Sequence, residues 1–357
     1  MLHISRRDSR LATLCASVLF FAAAAQGAPQ QHRTPLGLQL AAIASHFGGK
    51  VTFAAVDLKT GEHFGLAPDR PVATASVIKL PVMVEAFYQM QEGKLQWSQT
   101  VKETGFDRVR GSGILQDLNQ QVNLTLGDAI TLMIDLSDNT ASNMVIRTVG
   151  ISAVNARMRR LGLKHTKLFG YVFHEKDSSD PEAKKFGLGE TTADDMVHLL
   201  TLIRQHHILT PAACDQMLKI LSKQRDLDAF PRYTSNYPGV TWEHKTGALD
   251  DLRNDVGIAE TPAGPIVMAG FAYDSPDHQW TADNAALLVL ARMAQAALGH
   301  FLPAPAGARA AKWNRLRGEL PLFPMPAPVW YNSHQRCLSN GVPKLARSFA
   351  LSGLRSV

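Results

Sequence analysis

The sequence predicts an α+β fold: an antiparallel sheet assembled from both ends of the chain, with an all-helical block inserted between them. Three observations lead there. Strand-like runs occur near the start and return after Pro238. The long middle reads as a succession of helices, and an apolar helix closes the folded part at about residue 298. Hydrophobic residues make up 45% of the 357 and charged residues 19%, which fits a globular protein and not a disordered one.

The elements follow in order. Arg6, Arg7 and Arg10 form a basic head, 11–25 is almost wholly apolar, and Ala25-Gln26-Gly27 offers small residues for cleavage. Residues 1–27 therefore read as a signal peptide, and the expected location is secreted or periplasmic. A buried helix or membrane anchor is the competing reading, and the run is short for either. Arg6-Arg7 hints at twin-arginine export, although Asp8-Ser9 fits that route poorly. Residues 36–47 read as an amphipathic helix stopped by Gly48-Gly49, then 51–56 as a strand, Lys59-Thr60-Gly61-Glu62 as a turn and His63 as the start of a second strand. A helix is expected over 76–90. Thr125-Leu126-Gly127-Asp128 is a capping box that opens a helix through Leu136. Further helices are expected over 140–149, 153–161 and 192–205. Strands follow at 240–244, 255–259 and 266–273, with a hairpin turn at 261–265, and a helix at 283–298. The catalytic domain is then 28–300, its α/β part 36–95 and 230–300 and its helical part 96–229, with a site expected at their junction.

Residues 301–357 differ in character. Seven of the nineteen prolines lie there, and eight Lys and Arg residues face Glu319 alone. This Pro-rich basic tail reads as poorly packed, with a cationic anchor to an acidic envelope as the alternative. It also carries the net charge of +6, so without leader and tail the body is mildly acidic. A nucleic-acid-binding body would be basic, which excludes that class. Cys15, Cys214 and Cys337 give no disulfide framework, and the thirteen histidines show no metal-ligand spacing. His206-His207 reads as an exposed helix end. No metal or organic cofactor is implied, and a monomer is expected.

Three short motifs carry chemistry. Ser76-Val77-Ile78-Lys79 sets a hydroxyl and an ammonium one helical turn apart on one face. A serine needs a neighbour to take its proton, and a helix N-terminus adds an N–H that can face an oxyanion. Ser137-Asp138-Asn139 follows a helix: a second serine can relay a proton and an asparagine can hold an amide, while the plainer reading is an N-cap. Lys245-Thr246-Gly247 is expected at a strand end, where lysine and hydroxyl can fix a carboxylate and glycine admits a ligand backbone. Arg253 could add a second positive group. Each motif alone is weak; all three in order, on suitable elements, leave coincidence a poor explanation.

In that combination the sequence resembles the class A β-lactamases and the serine hydrolases related to them and to penicillin-binding proteins. Gly111-Ser112-Gly113-Ile114-Leu115-Gln116 and Gly189-Glu190-Thr191-Thr192 resemble flanking segments of the family. The resemblance covers about 36–300. It implies a five-stranded antiparallel sheet flanked by helices with an inserted helical subdomain. It also implies Ser76 as acylated nucleophile, Lys79 as its base, Ser137 as proton shuttle and Asn139 as a substrate contact. Lys245, Thr246 and Gly247 would bind the substrate carboxylate side, and the N–H groups of Ser76 and Ala248 would form the oxyanion hole.

One family feature is missing. Class A enzymes carry a deacylating glutamate in a Glu-Pro-x-Leu-Asn stretch, and here the count from Thr166-Lys167-Leu168 puts Val172 at that place. Glu175 is the nearest substitute and Asp180-Pro181-Glu182 the next; each reads more readily as a solvated loop carboxylate than as a base. The leading expectation is hydrolysis of β-lactams through an acyl-serine. The alternatives are a D-alanyl peptidase or esterase that releases β-lactams slowly, and an envelope-associated β-lactam-binding or sensing module.

Overall fold

The computed structural model describes residues 34–302. Helix α1 (Pro35–Ser45) leads into β1 (Lys50–Asp57), β2 (His63–Leu66) and the short β3 (Val72–Ala73). Helix α2 (Lys79–Gln91) enters the core, followed by β4 (Thr100–Lys102), β5 (Asn123–Thr125), α3 (Leu126–Asp135), α4 (Asn139–Val149) and α5 (Ile151–Arg160). Then come β6 (Lys167–Leu168), α6 (Ala183–Phe186), β7 (Gly189–Thr191), α7 (Ala193–Arg204) and α8 (Pro211–Leu221). Strands β8 (Thr241–Leu249), β9 (Leu252–Glu260) and β10 (Ile266–Tyr273) and helix α9 (Ala285–Phe301) complete the described chain.

The main sheet runs β2-β1-β10-β9-β8, every pair antiparallel, so strands from the two chain ends meet where β1 lies against β10. Alternate residues serve opposite faces. Phe53 and Ala55 of β1 pack with α1 and α9 around Phe230 and Trp242, whereas Ala54 joins the core of α2, α3, α4, α7 and α8. With both faces covered, β10 is buried through Ala272 and shows no polar alternation. Helix α2 is buried on nearly every side, from Leu80 to Phe87, and carries Lys79 at its first turn into that core.

The α+β order and the five-stranded antiparallel sheet agree with expectation. Thr125 caps α3 as its motif suggests: its Oγ1 accepts from the Asp128 N–H at 3.0 Å and donates to Asp128 Oδ2 at 2.6 Å. The middle is not wholly helical, because β4 and β5 pair within it and β6 and β7 join β3 in a second small sheet. Helix α8 was not anticipated, although Thr210 caps it and Pro211 starts it, a readable signal. Lys245-Thr246-Gly247 lies inside β8 and not at its end, since the strand continues to Leu249. His206, just past α7, pairs with Asp215 at 2.8 Å. No helix among the described residues is long and apolar enough to cross a membrane. The expected leader 1–27, the tail beyond 302, and Cys15 and Cys337 lie outside the described residues.

Candidate active site

Ser76 does not open an α-helix directly. It lies in a 3-10 turn, Ala75–Ile78, with the α-helix starting at Lys79. The turn is held from below. Asn254 Nδ2 on β9 donates to the carbonyls of Ala73 (3.0 Å) and Thr74 (3.1 Å), and Thr74 donates through both N–H and hydroxyl to Gly189 O. Ala75 takes a left-handed φ of +43°, a strained conformation for a residue with a Cβ. Strand β8 runs hard against this turn at Gly247: a Cβ there would stand 2.8 Å from Thr74 O and 3.1 Å from the nitrogens of Ser76 and Val77. Only glycine permits that approach. It sets the backbone N–H of Ser76 beside β8, where Ala248 is the next residue.

Two lysines converge on Ser137. Lys79, fully buried, donates to Ser137 O at 2.8 Å, Ser137 Oγ at 3.1 Å and Asn139 Oδ1 at 2.8 Å. Lys245, also fully buried, donates to the same Oγ at 3.1 Å and to Thr246 O at 2.7 Å. Burial pushes the Lys79 ammonium well below the usual lysine range and the charge of Lys245 pushes it further, against a small pull from Asp138. Burial lowers Lys245 to about 8, opposed by Asp226 and Asp255. Burial thus favours the neutral amine in both lysines.

Ser137-Asp138-Asn139 makes the expected N-cap and also presents two polar side chains to the lysines. Asp138 is the N-cap of α4, accepting from Ala141 N–H at 2.8 Å, and its other oxygen accepts from the N–H groups of Ile114 (2.7 Å) and Leu115 (2.9 Å). This ties the 111–115 loop to the motif. Ser137, at φ +53°, is turned out towards the lysines. Asn139 donates from Nδ2 to Arg110 O at 3.1 Å, leaving its second amide hydrogen for a ligand. The cap and the site are one structure: capping fixes the backbone on which Ser137 and Asn139 are displayed.

A hydroxyl on a tight turn, a depressed lysine at the start of the next helix and a second hydroxyl shared by two lysines are groups of the kind that acyl transfer uses. The profile of the β-lactamase enzyme family matches residues 35–301. The chain belongs to that family. A solved β-lactamase from Sphaerobacter thermophilus is 30% identical with a TM-score of 0.66, covering 74% of this chain and 96% of that one. The β-lactamase regulatory protein BlaB of Streptomyces cacaoi is 24% identical over 271 residues, 62% of this chain and 84% of that protein. β-Lactamase PSE-4 of Pseudomonas aeruginosa is 25% identical over 150 residues, 42% of this chain, so the match spans about half of that enzyme, 49%.

Not every expected residue of this β-lactamase-family serine hydrolase joins the constellation. Arg253 is buried and donates to the carbonyls of Leu249, Leu252 and Gln279, with its guanidinium 4.4 Å over the Trp280 ring. That corrects its expected place as a second carboxylate cation: it knits the β8–β9 turn to 279–280. Glu175 begins a short 3-10 turn, Glu175–Asp177, and its side chain lies outside the described residues. Asp180 is paired with Lys167, and Glu182 is an exposed residue preceding α6. Val172 is buried at 6% exposure, its N–H donating to Asn143 Oδ1 at 2.8 Å and its carbonyl accepting from Asn143 Nδ2 at 3.2 Å. Asn143 and Asn254, the two amides that fix these backbones, escaped the sequence reading. Asn143 left one hint, standing four residues from Asn139 and so on the same helical face.

Proposed function

We propose that this chain hydrolyses β-lactams through an acyl-enzyme on Ser76. Ser76 Oγ attacks the lactam carbonyl carbon as its proton passes to the neutral amine of Lys79. The N–H groups of Ser76 and Ala248 receive the developing oxyanion. The C–N bond of the ring then breaks, its nitrogen takes a proton from Ser137 Oγ, and Lys79 restores the proton to Ser137. Lys245, with Thr246, attracts the substrate carboxylate. Water finally cleaves the ester and regenerates Ser76. The observation that carries this reading is the single hydroxyl, Ser137 Oγ, held at 3.1 Å from each of two buried lysines whose affinity for protons burial has lowered. Export, expected from residues 1–27, belongs to the same proposal, since the substrates are met in the envelope.

Val172 favours a second reading. An apolar, buried side chain occupies the place where a deacylating glutamate is expected, so release of the ester could be slow and the natural substrate a D-alanyl peptide or simple ester. A binding or sensing role is the limiting case of that reading, and one relative, BlaB, is a regulatory protein.

Intact-protein mass spectrometry after mixing with benzylpenicillin separates these outcomes. A fleeting adduct with consumed drug supports hydrolysis. A lasting adduct supports the slow-release reading, and Ser76→Ala must abolish either. Consumption of drug by Ser76→Ala at the wild-type rate would sink the acyl-serine mechanism.

A further inference from the structure

Behind β8 lies a buried imidazole–carboxylate pair that the acyl-transfer steps leave unused. His244 and Asp255 are 1% and 0% exposed. Nδ1 of His244 stands 3.0 Å from Oδ1 of Asp255 and 3.2 Å from Oδ2, and Oδ2 also accepts the Phe230 N–H at 3.1 Å. The ring fits because β9 carries a glycine opposite it: a Cβ on Gly257 would fall 2.4 Å from Cβ of His244. Trp242 meets the ring edge-on at 6.3 Å and packs on Phe230 at 5.7 Å. With its Nδ1 hydrogen given to Asp255, a neutral ring keeps a lone pair on Nε2, which is buried with no partner among the described residues. A second proton there would be a buried donor without an acceptor. The arrangement therefore suits the neutral ring and leaves the charge of Asp255 uncancelled.

That charge stands beside Lys245. Asp255 is opposite Thr246 in the β8–β9 register, and His244 immediately precedes the lysine, so the carboxylate is anchored one register position from it. Side chains alternate along β8, which puts the pair on one face of the strand and the Lys245 side chain on the other. The charged groups facing Lys245 come from three elements: Lys79 on α2, which shares Ser137 Oγ with it, Asp226 after α8 and Asp255 on β9. Burial lowers the proton affinity of Lys245, and Asp226 and Asp255 oppose that. Asp226 is exposed, where water and salt weaken its field, whereas nothing screens the buried Asp255.

We infer that Asp255, held by His244, is a positioning residue that keeps Lys245 in the charged form that attracts the substrate carboxylate. This rests on the acyl-serine reading and deepens it: the pair acts through the lysine and not on the reacting atoms. The cost of burying a carboxylate, and of leaving Nε2 without a partner, is set against a cation maintained inside the protein.

The test is the pH profile of Ser76 acylation by benzylpenicillin, followed as the second-order rate of adduct formation. Asp255→Asn keeps the shape and an acceptor for the Phe230 N–H but removes the charge. Its alkaline midpoint is expected about 0.5–1 pH unit below that of wild type, a loss of proton affinity at Lys245 of about three- to tenfold. His244→Asn, whose amide nitrogen falls near the place of Nδ1 and still donates to the carboxylate, should keep the midpoint within about 0.2 unit of wild type. In the Lys245→Arg background, where the cation does not titrate, Asp255→Asn should move no alkaline limb. A purely structural pair would slow acylation at every pH with the midpoint in place, and that result overturns the inference, as does an equal shift in the Lys245→Arg background. Wild type alone decides if Asp255→Asn does not fold: between about 0.05 and about 0.5 M NaCl the midpoint should stay within about 0.2 unit, because salt screens Asp226 and not Asp255. A fall of about half a unit with salt gives the role to Asp226 and overturns the inference. Absence of any Ser76 adduct in wild type at every pH is a failure of the acyl-serine reading itself, and it removes the inference as well.

Discussion

Lys79 and Lys245 donate to one acceptor, the hydroxyl of Ser137, each from 3.1 Å, and burial lowers the proton affinity of both. The two then have opposite requirements in acyl transfer. Lys79 must be neutral to take a proton, and Lys245 must be charged to attract an anion. Acylation is therefore expected to rise with pH as Lys79 loses its proton and to fall as Lys245 loses its own through about 8. Lys245→Arg, which stays charged, should remove the alkaline limb even where it lowers the maximum. An alkaline midpoint unchanged in that variant would assign the limb to another group.

The contrast between what the sequence showed and what it hid follows from distance along the chain. Ser76 and Lys79 lie one turn apart, and the Ser137 and Lys245 motifs are contiguous tripeptides, so local pattern sufficed to select them. The contacts that make them a site are non-local. Asn254 reaches residues 73 and 74, and Asn143 reaches Val172, with no periodicity to announce either. Arg253 misled because its charge was legible while the three carbonyls that absorb it were not. At Ser76 the pattern suggested an α-helix where the chain first makes a 3-10 turn, a distinction of one residue in hydrogen-bond register that spacing of apolar residues does not resolve. Helix α8 is a different failure, since Thr210-Pro211 was in view.

Asp138 should be the most damaging single deletion around the site. Its carboxylate is buried at 1% exposure and accepts from three backbone N–H groups, those of Ala141, Ile114 and Leu115. Asp138→Ala strands all three, and a loss of about 2–4 kcal/mol is expected from urea denaturation. Acylation should fall with it, because Ser137 and Asn139 flank the cap. Asp138→Asn should recover only part of the stability, since one carboxylate oxygen becomes a donor facing other donors.

Glu243, on β8 two residues before Lys245, predicts a pH dependence of stability. Its Oε2 is buried without a partner, and burial, then the charge of Glu260, raise its carboxyl to about 7 against the pull of Arg204. Arg204 is itself bonded to Glu260. Between the model-compound value of 4.5 and about 7 the unfolded chain gives up this proton and the folded protein retains it, so stability falls as pH rises. Glu243→Gln should flatten that slope. With partial exposure discounted, it should gain about 1–2 kcal/mol at about pH 8 and little at acid pH. Urea midpoints at the two pH values check this, and an equal gain at both would dissociate Glu243 from the slope.

Val172 offers the sharpest test of how the acyl-enzyme is released. Its backbone is fixed by Asn143 through both N–H and carbonyl, so the position of residue 172 depends little on its side chain. Val172→Glu would place a carboxylate where the class A resemblance expects one, without moving the turn. Burial will raise the pKa of that carboxyl and cost about 1–3 kcal/mol of stability. A carboxyl so perturbed is also a better base near neutral pH, and the lifetime of the penicillin adduct on Ser76 should shorten by about tenfold or more. The comparison that decides is the adduct decay in Val172→Glu against Val172→Gln, which has nearly the same shape and no titrating group. Faster decay in the glutamate variant alone means that wild type lacks only a base. Equal decay in both means that access of water past the 170–190 loop limits release.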